Sequence, residues 1–208
     1  DIDKINLYMQ KRGVLSMLSS IVSSGKRMAN IVDNMLDFSR QNEASSIEQC
    51  IISLLDKSLE LSIIDHNLKY DYEFKNIEII KDYDSDIPFI KCEGGKIQQV
   101  FLNILRNAAQ AMQEANTVSP TIIFKVRFDA LIQHVIIEIE DNGPGIDEDI
   151  QRRIFEPFFT TKKVGIGTGL GLSVSYFIIT ENHKGNLTVS SKQGENTKFT
   201  ISLPKSGG

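Results

Sequence analysis

Four glycines alternate through Gly165-Ile166-Gly167-Thr168-Gly169-Leu170-Gly171 and continue into Leu172. Such a backbone can adopt positive φ and approach a polyphosphate closely, where a Cβ would obstruct it. The apolar stretch that follows, Leu170 to Ile179, predicts a helix whose first N–H groups would face the anion. Upstream stands Asp141-Asn142-Gly143-Pro144-Gly145, at the end of an alternating strand. Asp141 falls on the same face as Val135, Ile137 and Ile139, the core side. A carboxylate there is costly without a donor. The exocyclic amine and ring nitrogen of adenine would suit it, directly or through water, with Gly143 and Gly145 leaving room for a planar ligand. Asp-Asn-Gly is also ordinary turn chemistry, so this motif alone leaves both readings open. Earlier still, Asn103 and Asn107 lie four apart on one helix face. Two amide oxygens one turn apart can place a hard cation beside triphosphate oxygens. Simple exposure is the alternative, but Leu102, Ile104, Ala108 and Ala109 make their flanks apolar.

Spacing excludes the familiar phosphate loops. The dinucleotide pattern fails because the sixth position from Gly165, Gly167 or Gly169 is Leu170, Leu172 or Val174. The P-loop fails because Gly25-Lys26 is followed by Arg27 and Gly95-Lys96 by Ile97. Protein-kinase signatures are absent.

The elements that must carry these residues are legible in the periodicity. Leu15, Leu18, Val22, Gly25, Ala29, Val32 and Leu36 alternate steps of three and four, predicting an amphipathic helix over 15–40. Ile21, Met28, Ile31, Met35 and Phe38 widen its stripe, as packing in a bundle requires. Polar Gln41 to Ser46 reads as a linker, which divides the chain into regions 1–43 and 44–208. In the second region a helix is expected around Ile51 to Leu61, a strand over Ile77 to Tyr83, and a strong helix from Lys96 to Ala115. Ile122-Phe124-Val126-Phe128 and Val135-Ile137-Ile139 predict a hairpin, and Leu187 to Ser191 with Phe199 to Leu203 a second one around Gly194. Helices and strands mix without βαβ alternation, which implies an α+β class, a mixed sheet covered by helices on one face.

Composition sets outer limits. The chain has 208 residues, with 41% hydrophobic and 24% charged residues, ordinary for a globular protein. A net charge of −4 argues against a nucleic-acid partner, which calls for a basic face. No apolar run approaches a membrane span. Cys50 and Cys92 lack metal spacing and read as incidental thiols.

The motifs together resemble those of sensor histidine kinases. Gln98 to Ala108 resembles their N box, Asp141 to Gly145 their first glycine box, Phe155-Glu156-Pro157-Phe158-Phe159 their F box, and Gly165 to Gly171 their second glycine box, all in family order. Ser24 to Arg40 is similar to the second helix of their dimerisation and phosphoacceptor hairpin. The resemblance implies the Bergerat-type ATP-binding fold, a two-layer α/β sandwich, preceded here by the long helix. It implies ATP and Mg²⁺ as ligands, Asn107 and Asn103 on the metal, and Asp141 on adenine. Asn103 and Lys162 would serve the chemistry, with Lys162 reaching phosphate. Gly143, Gly145, Ile146, Phe158, Thr161, Gly167, Thr168, Gly169, Leu170, Gly171, Leu172 and Thr197 would complete the nucleotide site. The stretch Gly143 to Gly171 would include a lid over ATP, mobile between Thr160 and Thr168 and anchored by Phe155, Phe158 and Phe159. A response-regulator receiver domain, and a second copy joined through the helical hairpin, are the implied partners. The implied setting is the cytoplasm.

Two departures qualify the resemblance. The family's acceptor histidine sits before an acid in its first hairpin helix, and His66, His134 and His183 have no such context. The chain is therefore expected to begin in or near the loop between the hairpin helices and not to phosphorylate itself. Asn196 replaces the family's usual Gly before Thr197, a change Asn tolerates at positive φ. Related ATPases carry a water-activating Glu at the position of Asn103. An amide cannot act as that base, so this residue is expected to suppress hydrolysis.

Overall fold

The two alternating runs in the middle of the chain make the centre of the fold, because each has one apolar row that must leave water. In a computed structural model, which describes residues 8–15, 17, 18, 21, 22, 25, 46–69, 74–162 and 168–206, they form β4 (Thr121–Asp129) and β5 (His134–Asp141). The register sets Ile122 opposite Asp141, Phe124 opposite Ile139 and Val126 opposite Ile137. The earlier strands are β1 (Ile47–Gln49), β2 (Glu78–Tyr83) and β3 (Ile90–Cys92); β6 (Asn186–Lys192) and β7 (Asn196–Pro204) close the chain. The main sheet runs β2-β4-β5-β7-β6, with β2 parallel to β4 and the other pairs antiparallel. β1 and β3 make a separate antiparallel ribbon. That ribbon is absent from the sequence expectations, since three residues are too few to show a period of two.

One face of the sheet is dry. Ile122, Phe124, Val126, Val135, Ile137, Ile139, Leu187, Phe199, Ile201 and Leu203 are buried there. At about 1.5–3 kcal/mol for each fully buried aliphatic or aromatic side chain, this row and the helices over it carry most of the folding free energy. The opposite face is polar; Lys198 pairs there with Glu138 at 3.0 Å. Covering the dry face are α1 (Ile51–Lys69), α2 (Gly94–Glu114) and α4 (Gly171–Phe177), with α2 packed between the other two. The expected architecture, a mixed sheet with helices on one face, is what the chain adopts. A short helix, α3 (Glu148–Gln151), begins at Asp147, whose carboxylate accepts the N–H of Asp149 at 2.9 Å.

Chain contacts separate residues 1–41 from 42–208 as two compact units. In the first, residues 8–11, 14, 15, 17, 18, 21, 22 and 25 are helical where described. The predicted helix beyond residue 25, and all of the predicted linker but Ser46, lie outside the described residues. No described helix is long and apolar enough to cross a membrane.

α4 changes at its C-terminal end into a π-helical turn over Ile178–Asn182. His183, buried, closes that turn. Its Nε2 accepts the backbone N–H of Glu93 at 3.0 Å, so the proton must sit on Nδ1, which donates to the carbonyl of Ile178 at 2.8 Å. Glu93 is the residue from which α2 starts, so this imidazole joins the ends of two helices that frame the site. His183→Ala leaves the Glu93 N–H without its acceptor and takes one donor from the Ile178 carbonyl. A loss of about 2–3 kcal/mol is expected, read in a denaturant titration. His134, by contrast, opens β5 and pairs its Nδ1 with Ser202 Oγ at 2.7 Å, a strand-edge contact.

Candidate functional site

Asp141 closes the buried row of β5 and is 5% exposed. Its Oδ1 accepts the N–H of Gly143 at 3.0 Å, and among the described residues no other donor reaches the carboxylate. Burial pushes its pKa up from 3.8 to about 6; the Gly143 N–H opposes that shift and the charge of Glu140 adds to it. A Cβ on Gly143 would stand 2.6 Å from Asp141 Oδ1 and 3.2 Å from Met112 Cγ, so the glycine keeps the space before the carboxylate open. Thr197, also buried, faces Asp141 across the β5–β7 pair.

The loop after Asp141 is tied to β6. Gly145 takes φ +69°, and a Cβ there would come within 2.2 Å of the Lys192 carbonyl oxygen. The next residue, Ile146, donates its N–H to Ser191 Oγ at 2.8 Å. That hydroxyl donates to the Asn196 carbonyl at 2.5 Å, so the 3.1 Å contact with Thr197 Oγ1 has Thr197 as donor. Gln151 on α3 clamps the same place: Nε2 donates to the carbonyls of Ile146 (2.7 Å) and Ser191 (3.0 Å), and Oε1 accepts the N–H of Ser191 (3.2 Å). Gln151 and Ser191 were not legible as site residues, because nothing local to either points at the other.

The second cluster lies along one face of α2. Asn103 donates from Nδ2 to the Gly171 carbonyl at 3.0 Å and to Ser175 Oγ at 3.2 Å, which fastens it to the start of α4. Its Oδ1 has no partner among the described residues. One turn on, Asn107 Oδ1 accepts from Lys162 Nζ at 3.2 Å, and Gln110 Oε1 accepts from the same ammonium at 2.6 Å. Burial holds the Lys162 pKa below its ordinary value, against the pull of Glu114 and alongside the repulsion of Arg106. An ammonium on Asn107 Oδ1 is a cation already held by one of the oxygens expected to bind one. Among the described residues no group of three or more His, Cys, Asp or Glu could hold a metal, and the oxygens gathered on this face of α2 are those of amides. They suit a hard cation that draws its remaining ligands from phosphate and water. Gln110 is a site neighbour the sequence reading did not name, although its place one turn beyond Asn107 was visible.

The remaining expected residues separate. Gly169 has φ +66°, and a Cβ on it would lie 2.4 Å from the carbonyl carbon of Phe158, itself at φ +65°. This close approach joins the two ends of the lid segment. Phe158 is 58% exposed, which corrects the expectation that it anchors the lid apolarly: its left-handed backbone turns the ring outward. Phe155 does pack, against Tyr176 at 5.2 Å, and Phe159 lies under the Arg153 guanidinium at 4.4 Å. Leu170 is buried, and Thr168 Oγ1 accepts its N–H at 3.4 Å. Thr161 is exposed and Leu172 half-buried. Gly165, Ile166 and Gly167 lie outside the described residues, as does most of the expected mobile stretch. The turn before Thr197 takes its positive φ at Gly194, so Asn196 needs none; it donates instead to Glu140 Oε1 at 2.9 Å.

Known proteins resemble this chain in sequence and in fold. Residues 93–207 match the family described as histidine kinase-, DNA gyrase B-, and HSP90-like ATPase. The chain is 37% identical over 185 residues to sporulation kinase E of Bacillus subtilis (strain 168), covering 88% of this chain and 23% of that protein. It thus spans less than a quarter of the length of that relative. Its fold superposes on the nucleotide-free catalytic domain of histidine kinase ThkA with a TM-score of 0.63 and 26% identity, over 77% of this chain and 95% of that one. Full-length ShkA in complex with AMPPNP superposes with a TM-score of 0.71 and 25% identity, over 93% of this chain and 39% of that one.

Proposed function

Because the chain belongs to the histidine kinase-, DNA gyrase B-, and HSP90-like ATPase family, we propose that it is the ATP-binding catalytic part of a sensor histidine kinase. It transfers the γ-phosphate of Mg-ATP to a histidine, which passes it to an aspartate of a response-regulator receiver domain. The observation that carries this reading is the buried Asp141 carboxylate. One of its oxygens is committed to Gly143 and the other is left for a donor, at the mouth of a space that only glycine keeps open. The exocyclic amine of adenine is such a donor. Guanine presents a carbonyl oxygen there and would be rejected. The names of its structural neighbours, one a histidine kinase catalytic domain and another solved in complex with AMPPNP, point the same way.

Asn107, and Asn103 through its Oδ1, would hold the magnesium ion, which neutralises phosphate charge when bound. Lys162 supplies a cation that can move from Asn107 to phosphate oxygens. Gly143, Gly145 and Ile146 keep the adenine end in place, backed by Thr197. Gly167, Thr168, Gly169, Leu170, Gly171 and Leu172 would contact the phosphates, with Phe158 and Thr161 completing the nucleotide site. Transfer forms an N–P bond at the acceptor imidazole as the bond from phosphorus to the β–γ bridging oxygen breaks. ADP leaves with the electron pair, and the displaced imidazole proton goes to solvent. No base for water stands at Asn103, whose two N–H groups are turned to Gly171 and Ser175. Phosphate release from ATP should therefore be slow, and it is expected to rise in Asn103→Glu where ADP binding is retained. In the first unit, Leu15, Leu18, Ile21 and Val22 are apolar, helical and exposed, which supports a homodimer through the helical hairpin.

The deciding experiment supplies, in trans, a helical hairpin bearing an acceptor histidine, together with γ-labelled ATP. Acid-labile label on the hairpin is expected. Nucleotide binding with no transfer would overturn the kinase reading in favour of a binding module.

A further inference from the structure

We propose that Gln110 and Asn107 hold Lys162 in the place of the hard cation while the nucleotide is absent, so that metal-bound nucleotide enters only by displacing an ammonium. Gln110 is thereby a positioning residue for Lys162. This inference rests on the nucleotide reading above and adds a competition to it.

Lys162 Nζ stands 2.6 Å from Gln110 Oε1 and 3.2 Å from Asn107 Oδ1, two amide oxygens one turn apart on α2. Gln110 is oriented for this task, because its Nε2 donates to Glu114 Oε1 at 3.0 Å and leaves Oε1 facing the lysine. The half-buried ammonium exchanges water for these two charge-assisted hydrogen bonds. It therefore stays for the oxygens it finds there. Magnesium binds oxygen at about 2.1 Å and demands near-octahedral geometry. It cannot share Asn107 Oδ1 with an ammonium on the same side, and the two charges repel. Before the ion can take that oxygen, the lysine must give up a charge-assisted hydrogen bond. A nucleoside triphosphate offers the lysine its γ-phosphate in exchange. A diphosphate offers less, so with ADP the competition is exposed.

The test is calorimetry with ADP, with and without Mg²⁺, on the wild type, Lys162→Met and Gln110→Leu. The readout is the factor by which Mg²⁺ tightens ADP binding; because loss of the Lys162 charge raises that factor by electrostatics alone, Gln110→Leu, which keeps the charge, is the deciding variant. Lys162→Met is expected to increase that factor about tenfold, the equivalent of one charge-assisted hydrogen bond no longer broken. Gln110→Leu, which keeps the ammonium and loosens it, is expected to increase it about threefold. A factor unchanged or reduced in Gln110→Leu overturns the proposal. Should Lys162→Met fail to fold, Gln110→Leu alone decides it. Absence of ADP binding by folded wild-type protein would instead defeat the nucleotide reading itself.

Discussion

Asp141→Asn is expected to weaken adenine-nucleotide binding about 100-fold while leaving the protein folded. In the complex both carboxylate oxygens accept, one from the Gly143 N–H and the other from the adenine amine. An asparagine has one acceptor, so its NH₂ must face one of the two N–H groups. A buried mismatch of that kind costs roughly 3 kcal/mol, which is the stated factor. Stability should respond in a way that identifies the cause. The carboxyl pKa rises from 3.8 to about 6 on folding, so the folded state holds the proton more tightly. From this group alone stability is greatest below pH 3.8 and declines as pH rises to about 6, by roughly 3 kcal/mol in all. Asp141→Asn removes that decline. Relative to wild type, the variant should therefore gain roughly 3 kcal/mol between pH 4 and pH 7 in denaturant titrations. Nucleotide affinity of the wild type should fall as pH drops below about 6, because a protonated Asp141 offers one acceptor fewer. An asparagine variant that binds ATP normally would remove the carboxylate from the argument.

Asn107→Ala should abolish phosphoryl transfer, by about 1,000-fold or more, yet spare ADP binding measured without divalent ion. The side chain is half-buried on the helix surface, and alanine favours the helix, so the melting point should hardly move. What is lost is the oxygen now occupied by Lys162. Transfer assays with the hairpin supplied in trans read the first effect, and calorimetry with and without Mg²⁺ reads the second. Equal losses in both, with the fold intact, would assign Asn107 to nucleotide binding in general and not to the cation.

Much of this was written in local pattern. Alternation marked β4, β5 and β6 to within a residue or two and β7 to within three, because one dry face forces a period of two. The helical period marked α2, whose apolar positions Ile97, Val100, Phe101, Ile104, Leu105, Ala108 and Met112 are all buried. Asp141 was predicted to face the core from its parity in the strand, and it does. Short elements escaped, since β1 and β3 have no period to show. Phe158 was misjudged because apolarity says nothing of backbone handedness, and a φ of +65° sends its ring to solvent.

The sequence by itself determined the motif order, the dry face and hence the kind of fold, all of which follow from residue type at short separation. Tertiary structure alone decided which motifs meet. The ammonium of Lys162 reaches across 55 residues to Asn107, Asn103 across 68 to Gly171, and His183 across 90 to Glu93. Those contacts depend on strand register and on how the helices stack, and no local period carries that information. A buried polar group must find its partner wherever the packed chain brings one.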